Sequence, residues 1–141
     1  THHPFGTYFP LEVPDNYFHD TFFNVPIDTL MYRIEQSVRA GHPVCWEGDI
    51  SEDGFSFANG VAELDNDAQQ PTQAQRQEAF ETYQTTDDHC MEIIGIAHNE
   101  KGYKYFICKN SWGKNNPFGG FMYLSYNYVR LKTIAAYMVR V

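Results

Sequence analysis

Two apolar runs, Cys90 to Ala97 and Tyr103 to Asn110, are separated only by His98-Asn99-Glu100-Lys101-Gly102. So short a polar break leaves one compact solution, a β-hairpin, with Gly102 available for a positive φ in the turn. Folding the chain about Glu100 brings His89, at the head of the first run, close to Asn110, Ser111 and Trp112 at the foot of the second. Local geometry alone therefore sets an imidazole beside an amide. The pair supplies two-thirds of a Cys-His-Asn arrangement. In it the His activates a thiol, and the Asn side chain holds the ring in one tautomer without competing for the proton.

The rest of the chain reads as one domain over residues 1–141. Residues 1–24 carry spaced prolines and many aromatics, among them Phe5, Tyr8, Phe9, Tyr17, Phe18, Phe22 and Phe23. The prolines forbid a helix and the aromatics argue against a disordered linker, so an extended arm lying on an apolar surface is expected. From Pro26 to Ala40, Ile27, Leu30, Met31, Ile34 and Val38 recur at helical spacing. Pro26 opens that helix, Asp28 faces the positive end of its dipole, and Gly41 then Pro43 stop it. Val44-Cys45-Trp46 reads as a short buried strand, with Cys45 and Cys108 as small core residues. Asp49 to Asp88 is polar; Thr72 and Gln75 form a capping box for a second helix reaching about Tyr83, and the remainder is loop. Strands are predicted over Phe121 to Ser125, after Gly119-Gly120, and over Ile134 to Val141. The sum is an α+β domain, β-rich over 25–141, with one or two helices and about five antiparallel strands.

Composition removes several function classes. The formal net charge of −8 argues against a phosphate-backbone binder, which presents a basic face, so no nucleic-acid partner is expected. Lys and Arg are scattered, and no apolar stretch is long enough to span a bilayer, so no membrane partner is expected either. His2, His3, His19, His42 and His98 lack ligand spacing, and neither a metal nor another cofactor is predicted. The 3 cysteines show no CxxC spacing and read as reduced thiols. The chain opens on Thr1-His2-His3-Pro4, and is expected to begin inside a larger reading frame.

Three stretches carry a family resemblance. Asn24-Val25-Pro26-Ile27 leads into the helix and on to Gly41-His42-Pro43-Val44-Cys45-Trp46. Ala79 to Met91 reads AFETYQTTDDHCM. Lys109-Asn110-Ser111-Trp112-Gly113 is followed by Gly119 to Tyr123. In this order they resemble the papain-like cysteine peptidases, and within them the aminopeptidase C and bleomycin hydrolase branch. The resemblance implies the β-rich C-terminal half of a papain-like fold (antiparallel sheet or barrel with one or two helices) and a cytoplasmic setting. It implies that His89 is the base that forms the thiolate and later protonates the leaving amine, that Asn110 orients it, and that Trp112 covers the pair. The nucleophilic Cys, and the Gln that donates to the oxyanion, have no counterpart here. The expected partners are accordingly a missing N-terminal half carrying the nucleophile and peptide substrates, with a homo-oligomer possible. Members of this branch obstruct the cleft with their extreme C-terminus, which makes them aminopeptidases. Here the chain ends at Arg140-Val141, almost as soon as the last predicted strand does, so peptidase action is the firmer expectation.

Other readings compete. Cys90 sits beside His89, but adjacent strand residues face opposite ways, so a structural thiol is expected. Asp87-Asp88 reads as a solvated loop pair. A papain-like domain that has lost its nucleophile would serve as a binding or assembly module. An aromatic-rich β domain binding carbohydrate would use Tyr123, Tyr126 and Tyr128 as surface rings, but leaves the NSWG segment unexplained.

Overall fold

The computed structural model describes residues 1–140. In chain order the elements are β1 (Tyr8–Pro10), β2 (Thr21–Phe23), α1 (Ile27–Arg39), β3 (Val44–Gly48), β4 (Phe55–Ser56), β5 (Val61–Ala62), α2 (Gln73–Glu81), β6 (His89–His98), β7 (Lys104–Lys109), β8 (Phe121–Ser125), α3 (Tyr126–Lys132) and β9 (Thr133–Tyr137).

Local chemistry sets the ends of the helices. Gly41 adopts φ +84, its N–H bonds to Val38 O, and His42 N–H bonds to Ser37 O, the αL-terminated motif that glycine permits. Pro26 lies one position earlier than predicted, at the cap. It offers no side-chain acceptor, and the Ile27 N–H is satisfied instead by Gln73 Oε1 of α2 at 2.7 Å. The capping box of α2 is present in both directions, Thr72 with Gln75. In the β6–β7 turn, Gly102 takes φ +82 and Asn99 Oδ1 accepts from the N–H groups of Lys101 and Tyr103.

One mixed sheet of 7 strands, ordered β4-β5-β8-β7-β6-β3-β9, carries α1 against β6 and β3, and β5 runs parallel to β8. Between helix and sheet lies a core in which Ile34, Val44, Trp46, Ile93, Phe106, Met122, Leu124 and Tyr128 are fully buried. Each such side chain contributes roughly 1.5–3 kcal/mol through burial. The arm is a two-stranded hairpin, and Phe9 and Leu11 pack with Ala135 of β9.

Several expectations need correcting. The polar stretch holds β4 and β5 as well as α2, and α3 was not foreseen. Cys45 is exposed, because β3 alternates and turns Val44 and Trp46 inward. Tyr128 is fully buried on α3, which removes it as a surface ring. The last strand ends at Tyr137, and Val141 lies outside the described residues.

A buried polar knot ties the sheet to the segment leading into β6. Asp49, 1% exposed, accepts from Ser51 N–H (2.7 Å) and hydroxyl (2.6 Å), and from Thr86 N–H (2.8 Å) and hydroxyl (3.1 Å). Lys132 Nζ lies 4.0 Å from Asp49, donates to Gln84 O at 2.7 Å and pairs with Glu52. Burial pushes the Asp49 carboxyl up, but the bonds from Ser51 and Thr86 and the Lys132 cation outweigh it and hold it below the usual range. A depressed folded pKa stabilises fully above the unfolded value of about 3.9 and ceases to do so as pH falls through the folded one. Asp49→Ala, which leaves the Ser51 and Thr86 donors without their acceptor while Lys132 keeps Glu52 and Gln84, is expected to cost about 1–3 kcal/mol in denaturant unfolding at neutral pH. Asp49→Asn should unfold with a shallower acid limb than the parent; an unchanged limb would show that the carboxylate contributes nothing.

Candidate active site

The site is set by a β-bulge. In the β6–β7 hairpin the partners keep step from His98↔Lys104 to Gly95↔Ile107, but the next pair is Ile93↔Cys108. Ile94 is the extra residue. Because side chains alternate along a strand, one inserted residue exchanges the faces of everything beyond it. On the turn side Ile96 pairs with buried Phe106; beyond the bulge Met91 and Ile93 are the buried residues. Continued one step, the register sets Asn110 against Met91, on the face shared by His89. Were Ile94 paired in step with Cys108 rather than bulged, that face would carry Cys90 instead. Gly95 accommodates the distortion, since a Cβ there would lie 3.1 Å from Ile107 Cδ1.

On this shared face His89 Nε2 lies 2.8 Å from Asn110 Oδ1. The direction of the bond follows from a third group. Ser111 N–H, which can only donate, bonds to Asn110 Oδ1 at 2.7 Å, and Asn110 Nδ2 points at Met122 Sδ at 3.6 Å. The oxygen is thereby the atom facing the ring, and Nε2 must carry the proton. A neutral His89 then keeps the Nδ1 lone pair, which has no hydrogen-bond partner among the described residues. An imidazole fixed in this way can accept a proton from a thiol at Nδ1 and return it later.

Asn110 is 6% exposed, while His89 is half-buried. The Trp112 ring stands 4.7 Å from His89, centroid to centroid, and is held edge-on by Phe55 (6.0 Å) and Phe57 (5.4 Å). Asn116 closes the loop beneath. Its Oδ1 accepts from Phe118 and Gly120 N–H, and its Nδ2 donates to Phe57 O and Phe121 O. Gly120, φ +98, is required there, because a Cβ would sit 2.4 Å from Gly113 O. Sequence reading missed Phe55, Phe57 and Asn116. The two phenylalanines lie in the polar stretch and carry no periodic signal, and Asn116 resembles any loop asparagine.

None of the 3 thiols meets Nδ1. Cys45 and Cys90 share the outer face of the sheet, and Cys108 is fully buried. Burial raises the pKa of each, and Glu47 adds to the effect for the first two, the reverse of what an activated nucleophile needs. Among the described residues no three His, Cys, Asp or Glu side chains converge as metal ligands, and no helix is long and apolar enough to cross a membrane.

A sheet of this order flanked by helices, with a hydrogen-bonded His–Asn pair under a tryptophan, is the β-rich portion of a papain-like fold. A sequence profile of the Peptidase C1-like family matches residues 1–136, and the chain belongs to that family. Among solved structures it is similar to PepW from Lactobacillus rhamnosis HN001 (DR20), at 17% identity and a TM-score of 0.68 over 93% of this chain. It is also similar to the Amb a 11 cysteine protease, a major ragweed pollen allergen solved in its proform, at 23% identity and a TM-score of 0.50 over 79% of this chain. At these identities the likeness establishes the fold. The chain spans 31% of the length of each. No curated protein sequence matches it.

Nitrogen-15 NMR of the imidazole tests the geometry. Neutral His89 is expected as the Nε2–H tautomer, with the preference lost in Asn110→Ala. An Nδ1–H tautomer in the parent would overturn the assignment.

Proposed function

We propose that this chain is the His- and Asn-bearing half of a papain-like cysteine peptidase of the aminopeptidase C and bleomycin hydrolase kind. The single observation that carries the reading is the His89–Asn110 hydrogen bond, with its direction fixed by Ser111. Family membership and the fold support it. The aminopeptidase refinement rests on the resemblance of the His and Asn segments.

In this reading a Cys outside the chain comes to His89 Nδ1. Proton transfer yields a thiolate and an imidazolium, and Asn110 keeps the ring turned toward the sulfur without accepting the proton. The thiolate adds to a peptide carbonyl. As the C–N bond breaks, the imidazolium protonates the leaving amine at Nδ1, and an acyl-enzyme remains. Neutral His89 then takes a proton from water, whose oxygen attacks the thioester carbonyl. Collapse expels the sulfur and restores the ion pair. Trp112 limits water around the Asn–His bond, which strengthens it electrostatically.

The test uses the complete reading frame, in which a Gln followed by a Cys-Trp is expected upstream, with aminoacyl and dipeptidyl fluorogenic substrates under reducing conditions. Turnover is expected to fall about 10²–10⁴-fold in His89→Ala and by less in Asn110→Ala. The 141-residue chain alone is expected to be inactive. Activity in it abolished by Cys45→Ala, Cys90→Ala or Cys108→Ala would place the nucleophile within the chain. A complete protein without the upstream Cys, and without turnover, would favour a non-catalytic binding module.

A further inference from the structure

A cavity of about 900 Å³ opens at the turn end of the β6–β7 hairpin, between that turn, the segment 63–70 and the start of α3. β6 spans 10 residues, so the cavity lies roughly 30 Å along the strand from His89. Its volume falls within the range of about 300–1,000 Å³ usual for small-molecule sites. Among the described residues that line it, Ala68 is the only aliphatic one; carboxylates, amides, lysines and tyrosines make up most of the rest. That mixture excludes most ligand classes. A lipid or an apolar ring would leave the polar lining unpaired. An anion would meet Glu63, Asp67 and Glu100, and a cation would meet Lys101 and Lys104. Donors and acceptors set side by side suit a neutral ligand whose polar groups each donate and accept, as hydroxyls do.

The walls are already fixed. The Tyr105 hydroxyl donates to Glu63 Oε1. Asp67 Oδ2 accepts from Leu64 N–H at 2.8 Å and from the Ser125 hydroxyl at 2.6 Å, and Asn127 Nδ2 donates to Asp67 O at 2.7 Å. These bonds leave Glu63 Oε2, Asp67 Oδ1 and Asn127 Oδ1 without a partner among the described residues, three acceptors for incoming hydroxyls. One ring is free to stack. Tyr126 is stacked on Phe106 at 6.1 Å and has Lys104 Nζ over it at 5.5 Å. Tyr103 makes no such contact and is 57% exposed. Its ring presents an apolar face to the C–H face of a pyranose, and walls held in place spare the entropy of ordering them on binding.

We propose that this cavity binds a neutral oligosaccharide, with Tyr103 as the stacking platform and Glu63, Asp67 and Asn127 accepting from its hydroxyls. The proposal is independent of the peptidase reading.

Calorimetry and amide NMR of the chain with maltohexaose, cellohexaose and mannohexaose test it, with spermine as a cation and inositol hexaphosphate as an anion. At least one hexaose is expected to bind and to shift the amides of Lys101, Tyr103 and Asn127, while those of His89 and Asn110 stay in place. Tyr103→Ala should weaken that binding about tenfold or more, and Tyr103→Phe, which keeps the ring, by less. Tyr103 is exposed, so both variants should unfold at the parent's thermal midpoint. Should Tyr103→Ala misfold, the amide shifts of the parent still locate the site. A glycoprotein bearing neutral high-mannose glycans, run beside the free hexaoses, distinguishes a protein-borne source from a free one, and binding of either supports the proposal. No binding of any neutral glycan, shifts confined to residues outside the cavity, or undiminished binding by Tyr103→Ala would overturn it. So would tighter binding of spermine or inositol hexaphosphate at the same amides, since the cavity would then select charge.

Discussion

The bulging of one residue, where it could have been paired, decides what this domain presents. With Ile94 bulged out between Ile93 and Gly95, the turn side of β6 buries Ile96, while the far side buries Met91 and Ile93 and brings His89 onto the face of Asn110. Side-chain direction in a strand has period two, so no smaller adjustment could achieve this. The same switch sends Cys90 to the outer face beside Cys45, among Glu47 and Glu92, where burial and carboxylates keep both thiols protonated. Imidazole and thiol are neighbours in sequence, and the sheet keeps them apart.

The bulge sets the face; buried polar contacts fix the position along it. Gly48 pairs with His89 across β3 and β6, and a Cβ at Gly48 would meet the Trp46 ring at 2.2 Å and Lys132 O at 2.5 Å. Asp49, the next residue, holds Thr86 and lies by Lys132, so the approach to His89 is fastened to the α3–β9 junction. On the other side Asn116 fastens the loop that carries Trp112. The imidazole is thus placed by strand pairing, a buried carboxylate and a loop asparagine. That rigidity suits a group required to hold one tautomer.

Where a signal was local, the sequence carried it. The αL stop at Gly41, the Thr72–Gln75 capping box and the hairpin around Glu100 depend on residues within a few positions of one another, so their chemistry could be read directly. What was missed depends on distant partners. α3 is a 7-residue segment whose first four residues, Tyr126 to Val129, are poor helix formers. Its caps are Ser125 and Thr133, but it persists because Tyr128, Val129, Arg130 and Lys132 are buried, and Arg130 pairs with Asp28. β4 and β5, of 2 residues each, exist by leaning on one another and on β8. Cys45 was misjudged because a three-residue apolar run does not reveal its alternation.

The sequence by itself determined that the strand ends bearing His89 and Asn110 come together, because hairpin closure is a local event and a five-residue polar break admits few alternatives. It determined the C-terminal stop of α1 and the N-terminal cap of α2 for the same reason. Only the tertiary structure decided that the two side chains share a face, that Phe55 and Phe57 arrive from elsewhere to seat Trp112, and that Glu63, Asp67 and Asn127 meet the hairpin turn around one cavity. These depend on strand parity and on contacts between segments far apart in the chain. Neither is encoded at any single position, and both exist only once the sheet has closed.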